Sequence, residues 1–196
     1  MSLIDDLRGY AMAATLERLL TAEEYGELPS RDKPTELVRG RIVEMYMPYP
    51  RHGEICMKIV EFLVLHLTAN RIGRLIGNDG GVITERGPDT VRGADVAFLS
   101  YKRRPAGPLP RRSYIDETPD LVFEVLSPTD RWAEILVKVG EYLSAGVTCV
   151  CVVDEQTHTA RVYTADEPEA MLNAEQELKF PTILPGFSVR VGQLFE

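Results

Sequence analysis

The stretch PDLVFEVLSP, residues 119–128, places Glu124 inside an apolar run that is typical of a buried β-strand. A charge in such a strand costs several kcal/mol unless it is paired or bound to a metal. A second run, GADVAFL at residues 93–99, carries Asp95 in a similar setting. If the two strands are neighbours, we expect the carboxylates of Asp95 and Glu124 to converge near one edge of a sheet.

Two further charged residues are candidates for the same place. Alternation of side chains along a strand puts Asp120 on the face of Glu124, which makes Asp120 a candidate accessory acid. Lys138 follows on the next helical pattern, beside its apolar stripe, from which an ammonium group can reach over the end of the sheet. The alternatives are that each acid pairs with an arginine, and that Lys138 reaches solvent with its stem along the stripe.

Carboxylate oxygens are the ligands that Mg²⁺ (or Mn²⁺) prefers, and a lysine can offset charge that develops on a phosphate. Asp95, Glu124 and Lys138 therefore suggest a metal-dependent nuclease. A hydrolase that uses Asp120 and Glu124 as an acid/base pair is disfavoured, because residues four apart on a strand are separated by about 13 Å.

Composition sets the broad class of the protein. A length of 196 residues, 44% of them hydrophobic, is typical of one globular domain. No apolar run approaches the roughly 20 residues that span a bilayer, and the start carries no signal-peptide pattern. We therefore expect a cytoplasmic protein without membrane contact. Three cysteines do not make a disulfide framework, and we expect buried, inert thiols.

The net charge of −8 argues against a protein held on nucleic acid by bulk charge, but five basic residues and no acid lie between positions 101 and 115. Within this segment Lys102, Arg103 and Arg104 are candidate DNA contacts. The alternative is a solvated, proline-rich loop.

Periodicity and turn residues predict the order of elements. Leu and Ala at helical spacing suggest an N-terminal helical arm at 1–20, before a domain at 21–196 that opens with a capping box at Thr21 and Glu24. A hairpin should turn at Arg39 and Gly40, and an amphipathic helix should occupy the segment between Gly53 and Gly73.

The second half of the chain shows the same alternation of element types. Short strands are expected on either side of a turn at 78–81, followed by strands at 94–100 and 120–126. A second helix should start with Thr129 or Asp130 as its N-cap and end at Gly146. Its predicted buried stripe comprises Trp132, Ile135, Leu136, Val139, Tyr142 and Leu143. Strands at 147–154 and 160–164 complete an α/β (α+β) fold, a mixed sheet with helices on its faces.

The order and spacing of several motifs resemble the Uma-two family, bacterial proteins with the restriction-endonuclease-like PD-(D/E)XK fold. The resemblance covers residues 21–196. It is carried by TAEEY at 21–25, ELVRGRIVEM at 36–45, PRHG at 50–53, ADVAF at 94–98, PDLVFEVLSP at 119–128, and Lys138, Tyr142 and Gly146 before Asp154.

The resemblance implies a Mg²⁺-dependent, DNA-cleaving centre in which Asp95 and Glu124 hold the metal. It implies that the signature lysine has moved from the position of Leu126 to Lys138. Glu36 would be an additional acid at the site, and His52 an accessory residue; a surface glutamate and a helix-start hydrogen bond are the alternatives.

The chain departs from the family pattern where Ala94 replaces a proline and where Val150 and Cys151 replace an aromatic pair, and neither change removes a charged residue. A non-catalytic, nucleic-acid-binding module of the same fold is the rival hypothesis. Nucleases that cut both strands are commonly dimers, and the hydrophobic C-terminal tail is a candidate homodimer contact.

Overall fold

A sheet with helices on both faces organises residues 18–29, 32–111 and 113–196, the part of the chain that this computed structural model describes. The helices are α1 (Ala22–Glu27), α2 (Pro50–Ala69) and α3 (Trp132–Ser144). The strands are β1 (Thr35–Val38), β2 (Arg41–Glu44), β3 (Gly73–Glu85), β4 (Thr90–Ser100), β5 (Leu121–Val125), β6 (Cys149–Asp154), β7 (Thr159–Tyr163), β8 (Ala170–Leu172), β9 (Glu177–Leu178) and β10 (Val189–Arg190). Most of the predicted arm at 1–20 lies outside the described residues.

The main sheet has eight strands and is mixed. Its order is β2-β1-β4-β5-β6-β7-β8, and β3 pairs with β4 as well. Strands β5 and β6 are parallel and are joined through α3, whereas the other pairs in this sheet are antiparallel. The predicted α/β class with a mixed central sheet is confirmed, as is the adjacency of the strands that carry Asp95 and Glu124.

Each face of the sheet packs against a helix. On one face, α2 contributes Ile55, Ile59 and Leu63 to a core that also takes in the C-terminal segment. On the other face, α3 contributes Ile135, Val139 and Tyr142 to a second core. Because both faces are covered, strand β5 is buried along its whole length.

Several local predictions are confirmed. Thr21 Oγ1 accepts from the Glu24 amide while the Glu24 side chain accepts from the Thr21 amide, so the capping box is present. The hairpin turns at Arg39 and Gly40, whose φ angles of 50° and 74° match a two-residue turn of type I′. Helix α3 is followed by Gly146 at φ 95°.

Other local predictions are wrong. Helix α2 ends at Ala69, and Gly73 instead opens β3, where a Cβ would lie 2.4 Å from the Phe98 ring. The expected turn at 78–81 is a bulge inside the single strand β3, because pairing with β4 resumes at Gly80 after Gly77.

The start and the stripe of α3 also differ from the prediction. Neither Thr129 nor Asp130 is its N-cap, because the helix begins one residue later, behind Arg131, without a side-chain cap. Asp130 instead accepts from the Ser127 amide. Leu136 is 47% exposed, so the buried stripe is narrower than the sequence pattern suggests.

The C-terminal tail packs within its own chain. Val191, Leu194 and Phe195 lie in a 3₁₀ turn, Val191–Phe195, and are buried in the core under α2. The tail is therefore not the exposed dimer contact that its hydrophobic sequence suggested. Among the described residues, no helix combines the length and the apolar character needed to cross a bilayer.

Candidate active site

A fork in the sheet positions the acidic residues. On one edge of β4, strand β1 pairs at Val91 and strand β5 pairs at residues 96–98, so residues 92–95 lie between the two partners. Backbone groups at this gap need other partners. The Gly93 amide donates to Glu36 Oε1 at 3.0 Å, and the Gly93 carbonyl accepts from the Tyr142 hydroxyl at 3.3 Å. The fork thus draws polar side chains into the sheet.

Glu124 is buried at the end of β5, with 4% of its surface exposed. The Tyr142 hydroxyl donates to its Oε1 at 2.8 Å, and Lys138 Nζ lies 3.8 Å from its Oε2. Burial raises the pKa of Glu124 to about 8; the charge of Lys138 opposes the rise, and that of Asp95 adds to it. Glu124 therefore gives up its proton less readily than an exposed glutamate does.

Lys138 points into the site rather than to solvent. Its Nζ lies 2.9 Å from Glu36 Oε1 and its side chain is 14% exposed. Burial lowers the pKa of Lys138, but the charges of Glu124 and Glu36 outweigh burial and raise it. The Lys138 ammonium therefore lies between the carboxyl groups of Glu36 on β1 and Glu124 on β5.

Glu36 has a different environment from the other two acids. Its Oε2 accepts from Arg92 Nη1 at 2.8 Å, and its Oε1 faces both the Gly93 amide and Lys138. Arg92 is itself held by Glu141 on α3, through its Nε and Nη2. Both Glu36 oxygens are therefore engaged, one by Arg92 and the other by the Gly93 amide and Lys138.

Asp95 accepts from the Val125 amide at 2.7 Å through Oδ2, the same atom that lies 3.2 Å from His52 Nε2. Burial lowers the pKa of His52, but its hydrogen bonds to Asp95 and Cys56 and the charge of Asp95 outweigh burial, which raises the pKa to about 11. Cys56 Sγ lies 3.6 Å from His52 Nδ1. Helix α2 therefore contributes an imidazole and a thiol to the site.

Asp79 is a site residue that sequence reasoning missed. It lies in the bulge of β3, where Asn78 and Asp79 both adopt left-handed φ angles, 60° and 54°. Burial and the charge of Asp95 raise the pKa of Asp79, and the charge of His52 opposes the rise. A bulge that re-aims a side chain is a recurrent device beside functional sites. The available signal was the acid itself within the Asn-Asp-Gly-Gly sequence.

These groups line one cavity of about 630 Å³ between the β1–β2 hairpin, the sheet and α3. Its lining includes three cationic side chains, His52, Arg92 and Lys138, and seven carboxyl groups, those of Glu36, Glu44, Asp79, Asp95, Glu124, Asp130 and Glu134. Counting Glu141 on Arg92, eight carboxyl groups face three cationic groups when all are ionised. The surplus of negative charge and the oxygen donors suit a divalent cation, and the residues present fit Mg²⁺ or Mn²⁺.

Other predicted site residues lie elsewhere. Asp120 is at the far end of β5, where it accepts from the Ser100 amide and pairs with Arg103 Nε at 3.0 Å. Arg103 also donates to Thr118 and Gly146, and Arg104 Nη1 donates to both carboxylate oxygens of Glu117. The two arginines predicted to contact DNA are thus engaged within the chain, whereas Lys102 is exposed.

Comparison with known proteins agrees with this architecture. A crystal structure described as "a putative nuclease belonging to DUF820", from Anabaena variabilis, is similar over 90% of this chain and 97% of its own, with a TM-score of 0.77 and 19% identity. At that identity the likeness shows the fold. No curated protein matches the sequence. The model of the Uma2 family, described as "Putative restriction endonuclease", matches residues 22–192, and the chain belongs to that family.

Proposed function

We propose that this protein is a metal-dependent endonuclease that hydrolyses DNA phosphodiester bonds, with Mg²⁺ or Mn²⁺ held by Asp95 and Glu124. The observation that carries the proposal is the convergence of two carboxylates from adjacent strands and a lysine from the facing helix on one cavity. Family membership supports a nuclease. A cation bound there would polarise the scissile phosphate and lower the pKa of a water.

The chain's own residues prepare the site for a phosphate. Lys138 is the cation on α3 that can offset negative charge as the phosphate is attacked, and Glu36 fixes its position. The Tyr142 hydroxyl orients the Glu124 carboxyl, and the Val125 amide orients that of Asp95. Arg92 anchors Glu36 to Glu141, which ties the hairpin to α3. Positioning of this kind reduces the reorganisation needed during reaction.

Plasmid nicking tests the proposal directly. The wild type should nick supercoiled DNA in Mg²⁺ or Mn²⁺ and lose this activity in excess chelator. Asp95→Asn, Glu124→Gln and Lys138→Met should each lower the nicking rate by at least about 100-fold, as loss of one group that stabilises developing charge commonly does.

Glu61→Gln is the matched control, because Glu61 lies on α2 with a 56% exposed side chain and does not line the cavity. This variant should nick at the wild-type rate. Wild-type protein that retains its fold but does not nick DNA in either metal would refute the proposal, as would undiminished nicking by Asp95→Asn.

A further inference from the structure

A second group of potential metal ligands adjoins the acidic pair, on the side of α2. His52 and Cys56 are four residues apart and therefore lie on one face of the helix. Asp95 approaches them from β4. One ligand atom from each of the three residues lies within 4.8 Å of the other two.

The chemistry of this group differs from that of the acidic pair. A thiolate, an imidazole and a carboxylate are the donors that zinc-type ions take, whereas Mg²⁺ selects oxygen ligands alone. In a tetrahedral zinc site the sulfur and nitrogen atoms are about 3.6 Å apart. Cys56 Sγ already lies 3.6 Å from His52 Nδ1, whereas Asp95 Oδ2 lies 3.2 Å from the other ring nitrogen, Nε2. The side chains must therefore shift until one nitrogen of His52 faces the same ion as Cys56 and Asp95.

Asp79 is placed to supply a fourth donor. Asp79 is an exposed residue whose carboxylate accepts no hydrogen bond from the residues that the structure describes, and it lies in the field of Asp95, His52 and Cys56. The left-handed backbone of the bulge directs it to this side of the fork, where a Cβ on Gly93 would lie 3.0 Å from the Asp79 Cβ. A glycine at position 93 thus leaves room for the acid.

We propose that His52, Cys56 and Asp95, with Asp79 as the fourth donor, form a binding site for a zinc-type divalent ion, distinct from the Mg²⁺ site with which it shares Asp95. The ion would link helix α2 to the fork of the sheet. Binding at this site does not depend on nuclease activity.

Cobalt spectroscopy on the full chain tests this site, because Co²⁺ bound by a thiolate gives a charge-transfer band in the near ultraviolet. Titration of the wild type should produce this band with saturation at one equivalent. Cys56→Ser should abolish the band and weaken Zn²⁺ binding, measured calorimetrically, by at least about 10-fold. Cys149→Ser is the matched control, since Cys149 is buried in β6 and its variant should keep the band.

Two outcomes would overturn the inference: no charge-transfer band at saturating Co²⁺, or a band that persists in Cys56→Ser. Glu124→Gln should keep the band, because Glu124 is not one of the four donors. The result is independent of the nicking assay. A wild type that gives the band without nicking DNA supports this site and refutes the proposed nuclease, whereas nicking without a band overturns this site alone.

Discussion

Replacing Glu124 with glutamine should stabilise the metal-free protein, and the gain should grow with pH. Burial raises the pKa of Glu124 from 4.5 to about 8. Between these two pH values the folded chain holds a proton on Glu124 that the unfolded chain releases. The wild type therefore loses stability as pH rises through this window, whereas Glu124→Gln has no ionisation at this position and lacks the loss.

The magnitude follows from the two pKa values. Near pH 5 the raised pKa of Glu124 lowers the free energy of unfolding of the wild type by less than about 1 kcal/mol. Near pH 7 it lowers that free energy by about 3 kcal/mol. The difference in free energy of unfolding between Glu124→Gln and the wild type should thus grow by about 2–3 kcal/mol from pH 5 to pH 7. For a chain of this size that corresponds to roughly 5–10 °C in Tm. Glutamine can still accept from the Tyr142 hydroxyl, and Lys138 retains Glu36.

Thermal melts followed by circular dichroism in chelator, at pH 5, 6 and 7, measure this difference. Glu134→Gln serves as the control for the loss of one negative charge on a surface of the same region. A stability difference that stays constant with pH would refute the raised pKa of Glu124, as would a variant that is less stable than the wild type at pH 7.

Two further predictions concern stability away from the cavity. Arg103→Ala should lower the free energy of unfolding, measured by urea titration, by about 1–3 kcal/mol, because Asp120 and the Gly146 carbonyl lose their donor. DNA nicking per folded molecule should stay unchanged. A drop in DNA binding without a loss of stability would contradict this prediction. Gly73→Ala should lower the free energy of unfolding by about 1–3 kcal/mol, because its Cβ would lie 2.4 Å from the Phe98 ring. Gly140→Ala, in a helix and with open space around its Cβ, should raise that free energy by up to about 1 kcal/mol. Equal melting temperatures for the two variants would refute the steric argument.

The central pair of the site could be predicted from the sequence because its signal is local. Acids within apolar strand patterns are costly wherever they occur, so Asp95 and Glu124 stand out before any fold is known. Lys138 is less visible alone, since a lysine beside an apolar stripe more often reaches solvent. Only its place on the crossover helix between two parallel strands brings it over the Glu124 carboxyl.

The remaining site residues depend on long-range pairing that the sequence does not display. Asp79 enters the cavity because β3 pairs with β4 on both sides of a bulge, and the pattern around it predicts a turn equally well. Cys56 is a site residue because it contacts His52, and α2 places His52 Nε2 within 3.2 Å of Asp95 Oδ2. His52 and Asp95 are 43 positions apart in the sequence, so no local pattern indicates this contact. Asp120 is not at the site, because alternation along a strand fixes only the face of a side chain. Asp120 lies just before β5, at the end opposite Glu124, and there it pairs with Arg103.

The fork in β4 explains why structural and functional roles coincide in this site. The Gly93 amide donates to Glu36 and the Val125 amide donates to Asp95, so each acid satisfies a backbone group that the sheet leaves unpaired. An alanine at either position removes both a charge and a backbone partner, and loss of activity would not separate the two. Asparagine or glutamine keeps the acceptor and removes only the charge. If the carboxylates bind a cation, Asp95→Asn should retain the fold and lose the stabilisation by added metal. If they only accept hydrogen bonds from the backbone at the fork, Asp95→Asn should change neither the fold nor the response to metal.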